Sequence, residues 1–238
     1  MMNTCEGCEP SPSSYKKQLL AELARQRRCS VPYGYRGIGE YHGGAYECDH
    51  VSPYTKSAGN VDARMMLLLQ DWCSHEFLEG ALEPALIELG HLPTLPTNRN
   101  LKLLLAEHLN LELADTFATN LFPFIKPGKM TSSVPAKDLA TAARDYAIPQ
   151  IRIVAPTIVV CLGKAVWDAI RRALEMKPSP SLAQAIESPF ALDDIEVWAQ
   201  SHPGGLGRAR RNRGGKDRVS RDWAQMARAF QNLEKSQG

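Results

Sequence analysis

Four short apolar runs, separated by stretches with helical periodicity, constrain this chain more than any other feature. They are Met65-Met66-Leu67-Leu68-Leu69, Thr116-Phe117-Ala118-Thr119, Thr157-Ile158-Val159-Val160-Cys161-Leu162 and Ile195-Glu196-Val197-Trp198-Ala199. The first is continuously apolar, which marks a strand covered on both faces, and the third is the clearest strand. Helical patterns are expected over about 78–90, 100–110 (Leu101, Leu104, Leu105, His108, Leu109), 136–154, from Gly163 to about 175, and 220–234. Strands alternating with helices of this length predict an α/β fold, with a central, mainly parallel, four-stranded sheet and helices on both faces.

The 238 residues suit one domain, expected over 1–238. Residues 1–14 are turn-rich and predict a flexible tail. Ser14 is the expected cap of a helix over Tyr15–Arg28, and 29–62 lacks any sustained period. The segment 15–63 is therefore expected to pack on the core as a helix followed by irregular chain.

Twenty-eight basic and 26 acidic residues leave a net charge of +2, which excludes a uniformly basic coat. Six cysteines are too few for a secreted disulfide scaffold, and no apolar run approaches a membrane span. A soluble, cytoplasmic protein with no membrane partner is the expectation.

In an open parallel sheet, ligands bind beyond the carboxyl ends of the strands. Three of the four expected strands end there in chemically useful side chains: Gln70-Asp71, Asn120 and His202. Polar residues end many strands simply because loops are polar, but three at one edge favour a site. One segment, Gly207 to Arg221, carries Arg208, Arg210, Arg211, Arg213, Lys216, Arg218 and Arg221 against Asp217 alone. It is a focused basic patch, and phosphate binding is its natural use. Lys164, opening a helix after Gly163, offers a further phosphate contact.

These pieces resemble the uracil-DNA glycosylase superfamily over roughly residues 64–235. The likeness rests on Leu67-Leu68-Leu69-Gln70-Asp71, Thr119-Asn120-Leu121, Pro156 to Gly163, and Ser201-His202-Pro203-Gly204-Gly205-Leu206, in that order. It implies an enzyme that flips uracil out of DNA and hydrolyses the N-glycosidic bond, leaving an abasic site and free uracil. A monomer without cofactor or obligate protein partner is the expectation.

The reaction builds positive charge on the sugar and negative charge on uracil O2. Asp71 matches the carboxylate that stabilises the cation and orients water, and His202 matches the donor to O2 that works best neutral. Asn120 matches the amide that reads uracil O4 and N3–H together and rejects cytosine. Gln70 lies in the segment that lines the base pocket, and Leu206 matches the residue that fills the gap in the base stack.

Three departures accompany the resemblance. Trp72-Cys73 stands where the family's best-known form has Pro-Tyr; Cys73 is too small to block thymine's methyl group, so exclusion of thymine comes from Trp72 or elsewhere, or is looser. The base-stacking aromatic has no unique match; Trp72, Phe77 and Phe122 are candidates. Gly204 replaces a commoner Ser, which removes a hydroxyl contact to phosphate. A branch of the family holds an iron–sulfur cluster on four cysteines. Cys5 and Cys8 suggest it, but the stretch 136–154 has no Cys, and the spacing of Cys29, Cys48 and His50 is irregular for zinc. No metal is therefore expected. The alternatives are a glycosylase for another deaminated or mismatched base, or a non-catalytic binder of uracil or abasic-site DNA.

Overall fold

The computed structural model describes residues 11–237. Cys5 and Cys8 lie outside them, as does most of the expected tail. Among the described residues five strands form one sheet: β1 (Met65–Asp71), β2 (Phe117–Phe122), β3 (Ile158–Leu162), β4 (Phe190–Leu192) and β5 (Ile195–Gln200). Their order is β2-β1-β3-β5-β4. The first four in that order run parallel, and β4 pairs antiparallel with β5. The expected four-stranded sheet thus gains a fifth strand at its edge. Phe190-Ala191-Leu192 is too short to show a period, and it forms because a tight turn at Asp193-Asp194 folds it onto β5.

The helices are α1 (Pro12–Cys29), α2 (His75–Leu78), α3 (Pro84–Glu88), α4 (Pro96–Leu109), α5 (Ala136–Ala142), α6 (Ile148–Val154), α7 (Lys164–Ala173), α8 (Leu182–Glu187), α9 (Gly205–Arg211) and α10 (Arg218–Gln237). A π-helical turn at Ala143–Ala147 joins α5 to α6, so the expected 136–154 helix is continuous. The cap of α1 is Ser11, not Ser14: its hydroxyl accepts the Ser14 N–H, and Pro12 starts the helix. The single helix expected over 78–90 is instead the two short helices α2 and α3, divided around Gly80 to Glu83.

The alternation of side chains along each strand fills two cores. Met66 and Leu68 of β1, Val159 and Cys161 of β3, and Val197 and Ala199 of β5 face α5, α6 and α7. Met65, Leu67 and Leu69, Ile158, Val160 and Leu162, and Trp198 face α4 and α10. Each of the buried Met, Leu, Ile and Val side chains among these contributes about 1.5–3 kcal/mol. A third cluster holds Ile38, Tyr41 and Tyr46 of the irregular segment against Trp72, Cys73, Leu78 and Leu86. The segment 29–62 is therefore ordered, built on short 3-10 turns at Ile38–Glu40, His42–Gly44 and Pro53–Ser57. Among the described residues, no helix is long and apolar enough to cross a membrane.

Candidate active site

The parallel register brings three sequence-distant residues to one edge. Leu69 lies opposite Asn120 and Asp71 opposite Phe122, while β3 links β1 to β5, which runs out into His202. Asp71, Asn120 and His202 all line one cavity of about 550 Å³, together with Gln70, Trp72 and Phe77. That size falls in the range of small-molecule sites. Asn120 does not end its strand: β2 continues to Phe122, and the amide is only 1% exposed.

The carboxylate of Asp71 is held on both oxygens. Gln70 Nε2 donates to Oδ2 at 2.8 Å, and the Lys126 ammonium lies 2.7 Å from Oδ1. Lys126 is 3% exposed and donates also to the Met130 carbonyl at 2.7 Å. It reaches Asp71 because the chain beyond β2 runs beside the chain beyond β1, Ser74 bridging to Lys126 and His75 N–H donating to Lys126 O. Sequence reasoning missed Lys126. The available signal was a single charge closing the apolar stretch Phe122 to Ile125, since a buried lysine needs a partner.

Burial pushes the His202 pKa below the usual histidine value, against the opposing pull of the negative Asp71. The Gly204 N–H donates to Nδ1 at 3.1 Å. Nδ1 therefore carries the lone pair, and the neutral ring keeps its proton on Nε2. Close approach explains two glycines here. A Cβ on Gly204 would stand 2.9 Å from His202 Nδ1 and 3.0 Å from Thr97 Oγ1, and one on Gly207 would stand 2.1 Å from the His202 carbonyl oxygen. The space a serine hydroxyl would need at 204 is taken by the imidazole and Thr97.

Trp72 and Phe77 both line the cavity. The Trp72 indole N–H is engaged by the Gly90 carbonyl at 2.7 Å, and its ring packs edge-on against Tyr46. Phe122 does not reach the cavity; it packs between Tyr35 and Phe124 in the core. Tyr54, missed in the sequence, lines the cavity and stacks on His91. Cys73 is buried, and desolvation pushes its thiol pKa up, so it is a small inert wall.

Leu206 is 74% exposed in the first turn of α9. The basic segment is not a loop: it forms α9, a turn, and the start of α10. A second cavity, of about 650 Å³, is lined by Gly163, Lys164, Arg210, Arg211, Arg213, Arg218 and the other side of His202. Two of the expected phosphate contacts are committed inside the protein. Arg211 grips the buried Asp222 with Nε at 2.6 Å and Nη2 at 3.0 Å, and Lys164 pairs with Asp168 one turn on. Arg210 and Arg213 are exposed and Arg208 is half-buried.

Glu47 is bound by the fully buried Arg27, at 2.9 and 2.5 Å, and the same guanidinium donates to the Cys48 and His50 carbonyls, so α1 anchors this stretch. Among the described residues, no group of three or more His, Cys, Asp or Glu side chains could hold a metal ion.

The family model of the uracil DNA glycosylase superfamily matches residues 44–227. This chain belongs to that superfamily. It is accordingly a DNA glycosylase of the repair type. The match starts at Gly44, twenty residues before the expected limit, and so takes in the ordered 3-10 turn at Pro53–Ser57. Comparison with curated proteins finds no match.

Proposed function

We propose that the cavity receives a uracil everted from DNA and that the enzyme hydrolyses its N-glycosidic bond. The convergence of Asp71, Asn120 and His202 on one cavity, beside an exposed leucine and an arginine-rich helix, carries this reading. The Asp71 carboxylate stabilises the cationic sugar and directs water to C1′. The departing pyrimidine takes the bonding electrons and leaves as an anion whose O2 accepts a hydrogen bond from His202 Nε2–H, while the proton shed by the attacking water passes to the Asp71 carboxylate and on to solvent. A donor of this kind contributes about 10²–10³ in rate, and a positioned base about 10²–10⁴. Asn120 supplies an amide edge for N3–H and O4. Leu206 fills the space left by the base, and Arg208, Arg210 and Arg213 hold the flanking phosphates.

The test is release of free uracil from a uracil-containing oligonucleotide. Wild-type protein releases it, and the Asp71→Asn/His202→Ala double variant does not. Comparable release by the double variant refutes the assigned roles, and tight DNA binding without any release supports a non-catalytic binder instead.

A second reading, excision of a larger or 5-substituted base, is favoured by the pocket wall. Cys73 is small, and Leu86, His91 and Leu92 line the same cavity. Oligonucleotides carrying thymine mismatches, hypoxanthine or xanthine separate the two readings.

A further inference from the structure

The turn Pro53–Ser57 and its cap Ser52 are tied to the cavity walls by nearly every side chain they carry. Ser52 Oγ donates to Asn120 Oδ1 at 2.6 Å, Tyr54 Oη to Asn98 Oδ1 at 2.8 Å, and Thr55 Oγ1 to the Ala118 carbonyl at 2.9 Å. Lys56 Nζ donates to the Ile87 carbonyl at 2.7 Å, and Ser57 Oγ lies 3.0 Å from His91 Nδ1. The Ser52–Asn120 contact is the informative one, because both side chains are buried and Asn120 is the base-reading amide. Ser52 Oγ also accepts the Tyr54 N–H, at 3.3 Å.

We infer that Ser52 is a specificity-positioning residue that fixes which end of the Asn120 amide meets N3 of the base. This rests on the uracil reading above. Uracil presents a donor at N3 and an acceptor at O4, and cytosine presents the reverse, so an amide free to turn over would serve either base. Ser52 removes that freedom. Its one proton needs an acceptor, and Asn120 Oδ1 is that acceptor. Turning the amide over would bring Nδ2–H against the hydroxyl and strand the Ser52 proton where no water reaches. A stranded buried donor shifts such an equilibrium by about ten- to a hundredfold. Ser52 acts through Asn120 and touches no substrate itself.

The experiment measures dissociation constants for free uracil and free cytosine by intrinsic fluorescence, since Trp72 lines the cavity. The comparison covers wild type, Ser52→Ala, Ser52→Thr and the same serine change in an Asn120→Asp background. The uracil preference falls about ten- to a hundredfold in Ser52→Ala. It is retained in Ser52→Thr, and it is insensitive to the serine change in the Asn120→Asp background, where a carboxylate offers two equivalent oxygens. A purely structural serine would weaken both bases equally. If Ser52→Ala does not fold, the near-isosteric Ser52→Cys, a weak donor, carries the same test with a partial loss. An unchanged preference, equal weakening of both bases, or no base binding by wild type overturns the inference. Uracil release from DNA with an unchanged preference overturns it while leaving the glycosylase reading standing; a changed preference without release does the opposite.

Discussion

Lys126→Met removes the ammonium that joins Asp71 Oδ1 to the Met130 carbonyl, both at 2.7 Å. The side chains of Lys126 and Asp71 are 4% and 9% exposed, so solvent screens the pair little. Loss of one partner from such a pair leaves an uncompensated buried charge and costs about 3–5 kcal/mol. For a chain of this size that lowers the melting temperature by roughly 6–20 °C. Gln70 alone would then hold the carboxylate, on Oδ2 only, so the water-directing oxygen is no longer fixed. Urea and thermal unfolding followed by circular dichroism measure the stability, and uracil release at a temperature where the variant is folded measures the activity. The charge origin has its own signature. Lys126→Met/Asp71→Leu carries neither charge and recovers most of the lost stability, though not the activity. A single variant as stable as wild type, or a double variant no more stable than the single, refutes the argument.

Other consequences are equally open to measurement. Arg210→Ala and Arg213→Ala each reduce the salt slope of DNA binding by about one, whereas Arg211→Ala chiefly destabilises the fold because it removes the two-pronged partner of the buried Asp222 and leaves only Arg221 at 3.4 Å; binding at several salt concentrations and urea titration distinguish them. Leu206→Ala folds as well as wild type, since the side chain is exposed, but excises from duplex DNA several-fold more slowly than from single strands. Burial lowers the pKa of His50, His91 and His202. Each therefore binds its proton more weakly in the fold than in the unfolded chain. Stability is full above the unfolded histidine pKa of about 6.5 and is lost as pH falls through it toward the folded values, as urea titrations between pH 5 and 7.5 should show.

The sheet was legible because the β1 and β3 runs are covered on both faces, and such burial leaves a continuous apolar stretch that few other structures produce. The convergence on one cavity was legible because chemistry at the carboxyl edge of a parallel sheet must come from residues at or near the strand ends: Asp71 ends β1, His202 follows β5, and Asn120 lies two residues inside the end of β2. What escaped depends on partners far away in the chain. Lys126 and Ser52 look like ordinary loop residues until packing brings Asp71 and Asn120 against them. Arg211 and Lys164 look like free cations until Asp222 and Asp168 engage them. The edge strand at Phe190–Leu192 escaped for another reason: three residues carry no period, and only pairing with β5 defines them.

A crystal structure with DNA carrying a non-cleavable uracil nucleotide tests the arrangement most directly. The account predicts an everted base in the cavity, its O2 within hydrogen-bond distance of His202 Nε2, its N3–O4 edge on the Asn120 amide, and C1′ facing Asp71. A base still stacked in the duplex, or one seated in the arginine-lined cavity beyond His202, would contradict it.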